Sequence, residues 1–266
     1  MLRIQSLASG SKGNCTYVAG DGVSFLVDIG LNLKQLLGRM ADADIDPQSI
    51  SGVLITHEHS DHISGVYSFV KRFKCKIYIH KKACNCFLDK IKERGGEIDE
   101  NLVVSFVDKF DVDEVQVDFF ELPHDSQFCF GYTFKSGDSK VSLATDLGSC
   151  SDAVLQKMAG SQIVLLEANH DPVKLAHNVR YPSWLKRRVA GGHGHLSNGA
   201  CSRAVYKLAT LGVEQVILAH LSAENNSPSL AYRVVKDFLA EKGLIEGQDI
   251  FIDVATQDKV GRLFEV

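Results

Sequence analysis

The chain has 266 residues, with 29 basic and 33 acidic side chains for a formal charge of −4, and 45% of it is hydrophobic. That length supports a sizeable buried core, and the near-average composition with only 5 prolines excludes extended disorder. The acidic balance excludes a histone-like binder held to nucleic acid by global charge.

The opening third alternates short apolar strands with amphipathic helices. Strands are predicted over Leu2–Ala8, Cys15–Ala19 and Ser24–Ile29, a helix over Leu33–Ala41, and a strand over Gly52–Thr56. A helix near Ser64–Phe73, a strand over Lys76–Ile79 and a helix over Lys82–Arg94, stopped by Gly95-Gly96, follow. Leu102–Phe106, Val115–Leu122, Phe130–Lys135 and Val141–Ala144 then read as successive strands of a mostly antiparallel section. Helix and strand alternate again through Asp152–Ala159, Ile163–Glu167, Asn198–Leu211, Val216–Ala219, Ser229–Glu241 and Ile250–Val254. With no repeat, linker or charge block to divide it, the chain is expected to be one α/β domain over 1–266. Two similar halves suit four layers, with two sheets face to face and helices outside.

No stretch approaches the roughly 18–20 uninterrupted apolar residues of a spanning helix, and the N-terminus lacks a charged-then-apolar signal. A cytoplasmic location without membrane contact is expected. The 7 scattered cysteines then read as reduced thiols. Cys75, Cys84 and Cys86 lack a second Cys-x-x-Cys pair, so packing is expected of them before metal binding.

Directly after Thr56 stands His57-Glu58-His59-Ser60-Asp61-His62, dense in metal-ligand side chains. A strand end opening into a turn projects His57 and His59 to one side and leaves Asp61 and His62 on the first turn of the next element. Two neighbouring cations could share such a segment. It cannot close two coordination spheres alone, and further candidates end other apolar runs: His124 after Val115–Leu122, Asp146 after Val141–Ala144, His220 after Val216–Ala219. Singly, each reads as well as a solvated turn residue. Jointly they indicate a centre for two divalent ions, with zinc, manganese or iron all suited to imidazole and carboxylate ligands. Two such ions about 3.5–4 Å apart lower the pKa of a shared water and neutralise an in-line phosphoryl transition state. The expected reaction is attack of a bridging hydroxide on phosphorus. A protonated His195, held by Glu167 or Asp61, would donate to the departing sugar oxygen.

Taken in order, Asp28, His57-x-His59-x-Asp61-His62, His124, Asp146 and His220 closely resemble the motifs of the metallo-β-lactamase superfamily. The resemblance spans nearly the whole chain and implies an αββα sandwich with a dinuclear site. It assigns His57, His59 and His124 to one ion and Asp61, His62 and His220 to the other, with Asp146 bridging and Asp28 orienting the histidine loop from behind. Aspartate at 146 is similar to phosphoesterase branches, which lack the cysteine ligand. Ser9-Gly10-Ser11-x-Gly13-Asn14, Leu166-Glu167-Ala168-Asn169-His170-Asp171 and Gly194-His195-Leu196-Ser197-Asn198 resemble the bacterial YycJ/WalJ-like nucleases, which implies DNA exonuclease activity from 5′ ends. The segments at Glu167 and His195 are also similar to motifs of transfer-RNA 3′-processing enzymes, implying a proton-transfer pair. Asn169 and Leu196 depart from the Thr and Ser of that branch.

Local charge favours a polyanionic substrate. Lys174, Arg180, Lys186, Arg187 and Arg188 lie between Pro172 and His195 without an acid, and a second basic run extends from Lys71 to Lys82. Acids concentrate elsewhere, from Asp108 to Asp118. Either run reads equally as a solvated helix face. Tyr181 and Trp184 could stack on a base or pack internally. Ser11, Asn14, Asn169, His170, Ser197, Asn198, Asn225 and Asn226, with Arg187 and Arg188, are candidate substrate contacts, and the small polar ones also read as turn formers. The stretch between Asp146 and His220 is too short for the large extra domain of RNA-maturing and DNA-repair relatives, so weak sequence selectivity is expected. The expected activity is DNA hydrolysis. RNA processing, hydrolysis of a small cyclic phosphodiester or a thioester, and a regulatory metal-binding module without turnover are the alternatives. Oligomeric state is not legible.

Overall fold

Period-two apolar segments separated by tight turns build an antiparallel meander at the start of the chain: β1 (Leu2–Ala8), β2 (Cys15–Gly20) and β3 (Val23–Val27). Helix α1 (Leu33–Asp42) leads to β4 (Gly52–Ile55), and the short α2 (Ser60–Ile63) and α3 (Val66–Phe73) lead to β5 (Lys76–His80). Helix α4 (Lys81–Glu93) then leads to β6 (Val103–Phe106). Strands β3 to β6 run parallel, as helical crossovers require. The computed structural model describes all 266 residues.

The second half repeats this plan. Strands β7 (Phe110–Val112), β8 (Val115–Glu121), β9 (Phe130–Ser136) and β10 (Ser139–Ala144) are antiparallel. After α5 (Asp152–Met158), β11 (Ile163–Glu167) joins β10 in parallel. Helices α6 (Pro172–His177), α7 (Ser183–Ala190) and α8 (Asn198–Thr210) precede β12 (Gln215–Ala219), and α9 (Pro228–Glu241) precedes β13 (Phe251–Val254). A last strand, β14 (Phe264–Glu265), returns to pair with β1. Each sheet therefore has 7 strands, in orders β14-β1-β2-β3-β4-β5-β6 and β13-β12-β11-β10-β9-β8-β7.

Strand β11 shows how the layers are made. All of it is buried, and its side chains alternate between two cores. Ile163 and Leu165 face the first sheet, while Val164 and Leu166 join Leu155, Val205 and Leu239 beneath α5, α8 and α9. Leu36, Phe69 and Phe87 bring α1, α3 and α4 onto the first sheet. The result is the four-layer αββα sandwich expected from the sequence.

Several boundaries differ from expectation for local reasons. The strand predicted to reach Ile29 stops at Val27 because Asp28 turns into the left-handed region, with φ 59. The helix predicted over Ser64–Phe73 starts only at Val66, after Gly65 N–H donates to the Ile29 carbonyl at 2.8 Å, and a separate short turn of helix, α2, precedes it. The predicted strand ending at Phe106 belongs to the parallel edge of the first sheet, not to the antiparallel section. Strands β7 and β14 are too short for periodicity to register. Helices α6 and α7 stand where only a basic run was read. Asp171 caps α6 ahead of Pro172, but α7 buries no residue and so carries no apolar stripe.

One glycine decides how the two loops of the first half meet. A Cβ on Gly30 would overlap the Asp61 carbonyl, and the same crossing carries a bond from Asn14 N–H to Asp61 O at 2.8 Å. Gly30→Ala is expected to destabilise the fold by about 3 kcal/mol or more, since backbone has no rotamer with which to yield. A melting temperature within a degree of the parent would contradict this.

Candidate metal and catalytic site

The site is assembled at the carboxyl ends of strands from both sheets. Asp28 follows β3, Asp146 follows β10 and His220 follows β12, and all three are non-glycine residues at positive φ, 59, 65 and 54 respectively. Such conformations cost about 1–3 kcal/mol each and persist where the surroundings over-determine them. Here the sharp turn ends the strand and swings the side chain into the cleft. His57 to His62 leave β4, with His59 at the N-cap of α2, and His124 follows β8.

The sequence-predicted ligands come together. His57, His59 and His124 place one nitrogen each within 4.8 Å of one another, as do the potential ligand atoms of Asp61, His62 and His220, and those of His57, His62 and Asp146. The Asp146 carboxylate lies 3.1 Å from His62 Nε2 and 3.8 Å from His124 Nε2, between the two sets. Buried and without a hydrogen-bond partner are His57 Nε2, His220 Nε2 and Asp146 Oδ2. Unpartnered buried lone pairs are costly in a protein interior, and these three belong to adjoining clusters of imidazole and carboxylate groups, the donor types a divalent cation takes. The residues fit a metal.

Each imidazole is held by a bond at its other nitrogen. Asp28 Oδ2 accepts from His62 Nδ1 at 2.7 Å and from the Thr56 hydroxyl at 2.7 Å. With its proton so directed, Thr56 Oγ1 accepts from His57 Nδ1 at 2.9 Å. The chain His57–Thr56–Asp28–His62 thereby commits both Nδ1 atoms and leaves ligation to the Nε2 atoms, of which that of His57 is unpartnered. Asp28 takes the position behind the loop that the sequence suggested. Thr56 was missed, although a hydroxyl at the end of an apolar strand, next to the histidine string, was a usable signal. His124 Nδ1 donates to the Gly194 carbonyl at 3.1 Å.

Glu167 is 0% exposed and fully engaged. Its Oε1 accepts from His195 Nδ1 at 2.7 Å and His220 Nδ1 at 2.8 Å, and its Oε2 accepts from the Leu147 and Leu196 amides, both at 3.0 Å. Of the two carboxylates considered for His195, the structure selects Glu167. His195, with 21% of its side chain exposed, keeps Nε2 free in the cleft.

The electrostatics of the cation-free site follow from these contacts. Burial disfavours charge at Glu167, but His195 and His220 outweigh it and lower its pKa to about 2. Burial opposes protonation of His220, yet Asp146, Asp61 and Glu167 push it up to about 10. His62 is raised in the same way against burial, by Asp146, Asp28 and Asp61. His57 and His59 are lowered, chiefly by burial and then by neighbouring histidines. His57 and His59 are thus held toward the neutral form, and His62 and His220 toward the protonated one.

The candidate substrate residues divide. Ser11, Asn169, Arg188 and Asn225 line a cleft of about 140 Å³ together with Tyr181 and His195. Asn14 is buried, with Oδ1 accepting from Gly10 N–H at 2.8 Å and Nδ2 3.1 Å from His62 Nε2. Asn198 and Asn226 are buried against each other at 2.8–3.0 Å, and Asn226 also donates to the Ala168 carbonyl. Ser197 caps α8. These four brace the loops where contact with phosphate was expected, because short polar side chains at turns bond the nearest backbone first. His170 is buried with Nδ1 unpartnered, and Arg187 is exposed. The Lys71–Lys82 run contributes nothing to the cleft lining. Cys75 is a core residue, and the Cys86 thiol donates to the Ala83 carbonyl.

Residues 24–221 match the family described as "Beta-lactamase superfamily domain". The fold aligns over 100% of the chain with 99% of the metallo-beta-lactamase fold protein YhfI from Bacillus subtilis, at a TM-score of 0.73 and 14% identity. The chain belongs to the metallo-β-lactamase superfamily. Within that superfamily it is 34% identical over 249 residues to a Bacillus anthracis protein named exodeoxyribonuclease YycJ, covering 93% of this chain and 92% of that one. It is 31% identical over 266 residues to the exodeoxyribonuclease WalJ of Streptococcus pneumoniae D39, covering 98% and 96%. The YycJ/WalJ resemblance read from the motifs therefore holds across the chain. No helix of this superfamily member is long and apolar enough to cross a membrane.

Proposed function

We propose that this chain is a divalent-metal-dependent nuclease that removes nucleotides from DNA ends, with digestion from 5′ ends following the group resemblance. The observation that carries the reading is that His57 Nε2, His220 Nε2 and Asp146 Oδ2 are buried and unpartnered within adjoining clusters of potential ligands, beside a histidine clamped by Glu167. The names of relatives 31–34% identical over nearly the whole chain favour DNA. Two ions are proposed, from zinc, manganese or iron. His57, His59 and His124 would hold one, Asp61, His62 and His220 the other, with Asp146 between. When bound, such ions supply a water ionised near neutral pH and positive charge against the phosphodiester oxygens.

The protein's own groups do the rest. Glu167 holds His195 with Nδ1 protonated and Nε2 toward the cleft, where it can hand a proton to the departing sugar oxygen. The Glu167 bond to His220 fixes that ring as well, so one carboxylate sets the proton donor and a ligand together. Arg188 and Ser11 in the cleft wall offer donors to the substrate phosphates.

Nucleotide release from end-labelled DNA, RNA and a small cyclic phosphodiester tests the reading. DNA is expected to be the preferred substrate, labelled 5′ ends to leave first, and Asp61→Ala and His124→Ala each to lower the rate at least about a hundredfold. Undiminished cleavage by both variants would dispose of the site, and faster turnover of the cyclic diester would reassign the substrate.

A further inference from the structure

The helical hairpin of α6 and α7 contributes no side chain to either hydrophobic core. Helix α7 buries none of its residues, and three of the large apolar side chains most open to solvent sit on this hairpin: Val179 at 97%, Val173 at 65% and Trp184 at 59%. A tryptophan left that open gains nothing from burial, so packing does not explain it. The hairpin is nevertheless held in a fixed pose beside the site. Arg188 pairs with Asp125, Arg180 pairs with Glu224 at 2.8 Å, and Asn178 donates to Asn225 at 2.7 Å.

Helix geometry places the tryptophan relative to the chemistry. Leu185, Arg188 and Val189 recur at helical spacing on α7 and, with Tyr181 just ahead of the helix, line the same cleft as His195. Trp184 does not line the cleft, but it is four residues before Arg188 and therefore neighbours that lining residue on the helix surface. Arg180 and Arg188 are paired with acids, but Lys174 and Arg187 have no acidic partner, so the hairpin presents an open aromatic side chain and two uncompensated positive charges. An aromatic face with flanking cations is the combination that holds single-stranded nucleic acid: bases stack on the ring while phosphates follow the charge. An internal paired base cannot lie flat on such a ring without leaving its stack, and a blunt duplex offers only the outer face of its terminal pair, whereas every base of an unpaired strand is available.

We propose that this hairpin is the platform on which an unpaired strand lies as its end enters the cleft, with a base stacked on Trp184 and backbone phosphates on Arg187 and Lys174. This rests on the nuclease reading and adds to it that unpaired ends are engaged in preference to blunt duplex.

Trp184 is the only tryptophan in the chain, so its emission reports on the platform directly. Phosphorothioate-linked decathymidylate added to the metal-loaded protein is expected to quench that emission. The same strand with abasic sugars at both ends should bind about tenfold more weakly without quenching, and blunt duplex should quench little. Trp184→Ala should raise KM for strands about tenfold at nearly constant kcat, with Trp184→Phe restoring most of the loss. Hydrolysis of bis(p-nitrophenyl) phosphate, too small to reach the hairpin, should be unchanged. Absence of quenching, equal binding of the abasic strand, or an unchanged KM in Trp184→Ala would each overturn the platform. So would a dimer that Trp184→Ala dissociates and the strand does not. If the parent protein hydrolyses bis(p-nitrophenyl) phosphate but cuts no strand, the nuclease reading fails, separately from the quenching result.

Discussion

Glu167→Gln is expected to slow strand hydrolysis by about a hundredfold or more at saturating cation, while leaving bis(p-nitrophenyl) phosphate hydrolysis within about tenfold of the parent. The volume is preserved and the fold has no reason to open. What changes is that Oε1 now accepts from two imidazoles, His195 at 2.7 Å and His220 at 2.8 Å, and Oε2 from two amides. A neutral amide cannot satisfy four donors, since one end of it is itself a donor. The NH2 end then faces either both imidazoles or both the Leu147 and Leu196 amides, donor against donor, and in either orientation the negative charge that favours protonation of His195 is gone. A sugar oxygen needs that proton to leave and a nitrophenolate does not, so the two substrates separate the proton-donor role from a general loss of the site. Equal losses on both would reduce Glu167 to a scaffold, and a strand rate within threefold of the parent would remove it from the reaction. Cation content of the variant, measured in parallel, reads the His220 half of its duty, for which a 10–100-fold fall in affinity is typical.

Chelation is expected to invert the pH dependence of stability. In the cation-free protein, His220 is raised from 6.5 to about 10. Its contribution is therefore complete below pH 6.5 and disappears as pH climbs toward 10. His62 acts in the same direction. Glu167 is lowered from 4.5 to about 2, so its contribution is complete above pH 4.5 and is lost on acidification toward 2. The chelated protein should melt highest between those limits, at mildly acid pH, and progressively lower on the alkaline side. Cation binding requires unprotonated imidazoles, so the gain in melting temperature on loading should widen as pH rises. Calorimetric titration in buffers of different ionisation enthalpy should show protons released on uptake. Burial holds His57 and His59 unprotonated, so the half containing His124 should load first at low pH and the half containing His220 only as pH rises. Uptake that releases no protons, or a loading gain that shrinks with pH, would contradict this account.

Much of the site was legible because its residues stand in chemically conspicuous places. His57, His59, Asp61 and His62 announce themselves by density, and His124, Asp146 and His220 by ending apolar runs. An apolar run that stops at a lone imidazole or carboxylate carries its signal locally. The paired sheets were legible for a related reason, since period-two patterns and full burial, as in β11, are written within a few residues.

Other features depend on partners far apart in the chain. Thr56 matters because Asp28 approaches it from β3. Asn198 and Asn226, read as phosphate contacts, brace each other because α8 and the loop before α9 happen to meet. Glu167 was paired with His195 by motif, but its second bond, to His220, required two strands to lie side by side. The hairpin of α6 and α7 has no apolar stripe, so periodicity passed over it. Sequence by itself determined which residues have the chemistry to ligate and transfer protons, because that is a property of each side chain and its immediate neighbours. Tertiary structure alone decided which of their remaining atoms are left unpartnered, because a hydrogen bond between distant segments is fixed by packing and leaves no trace in local pattern.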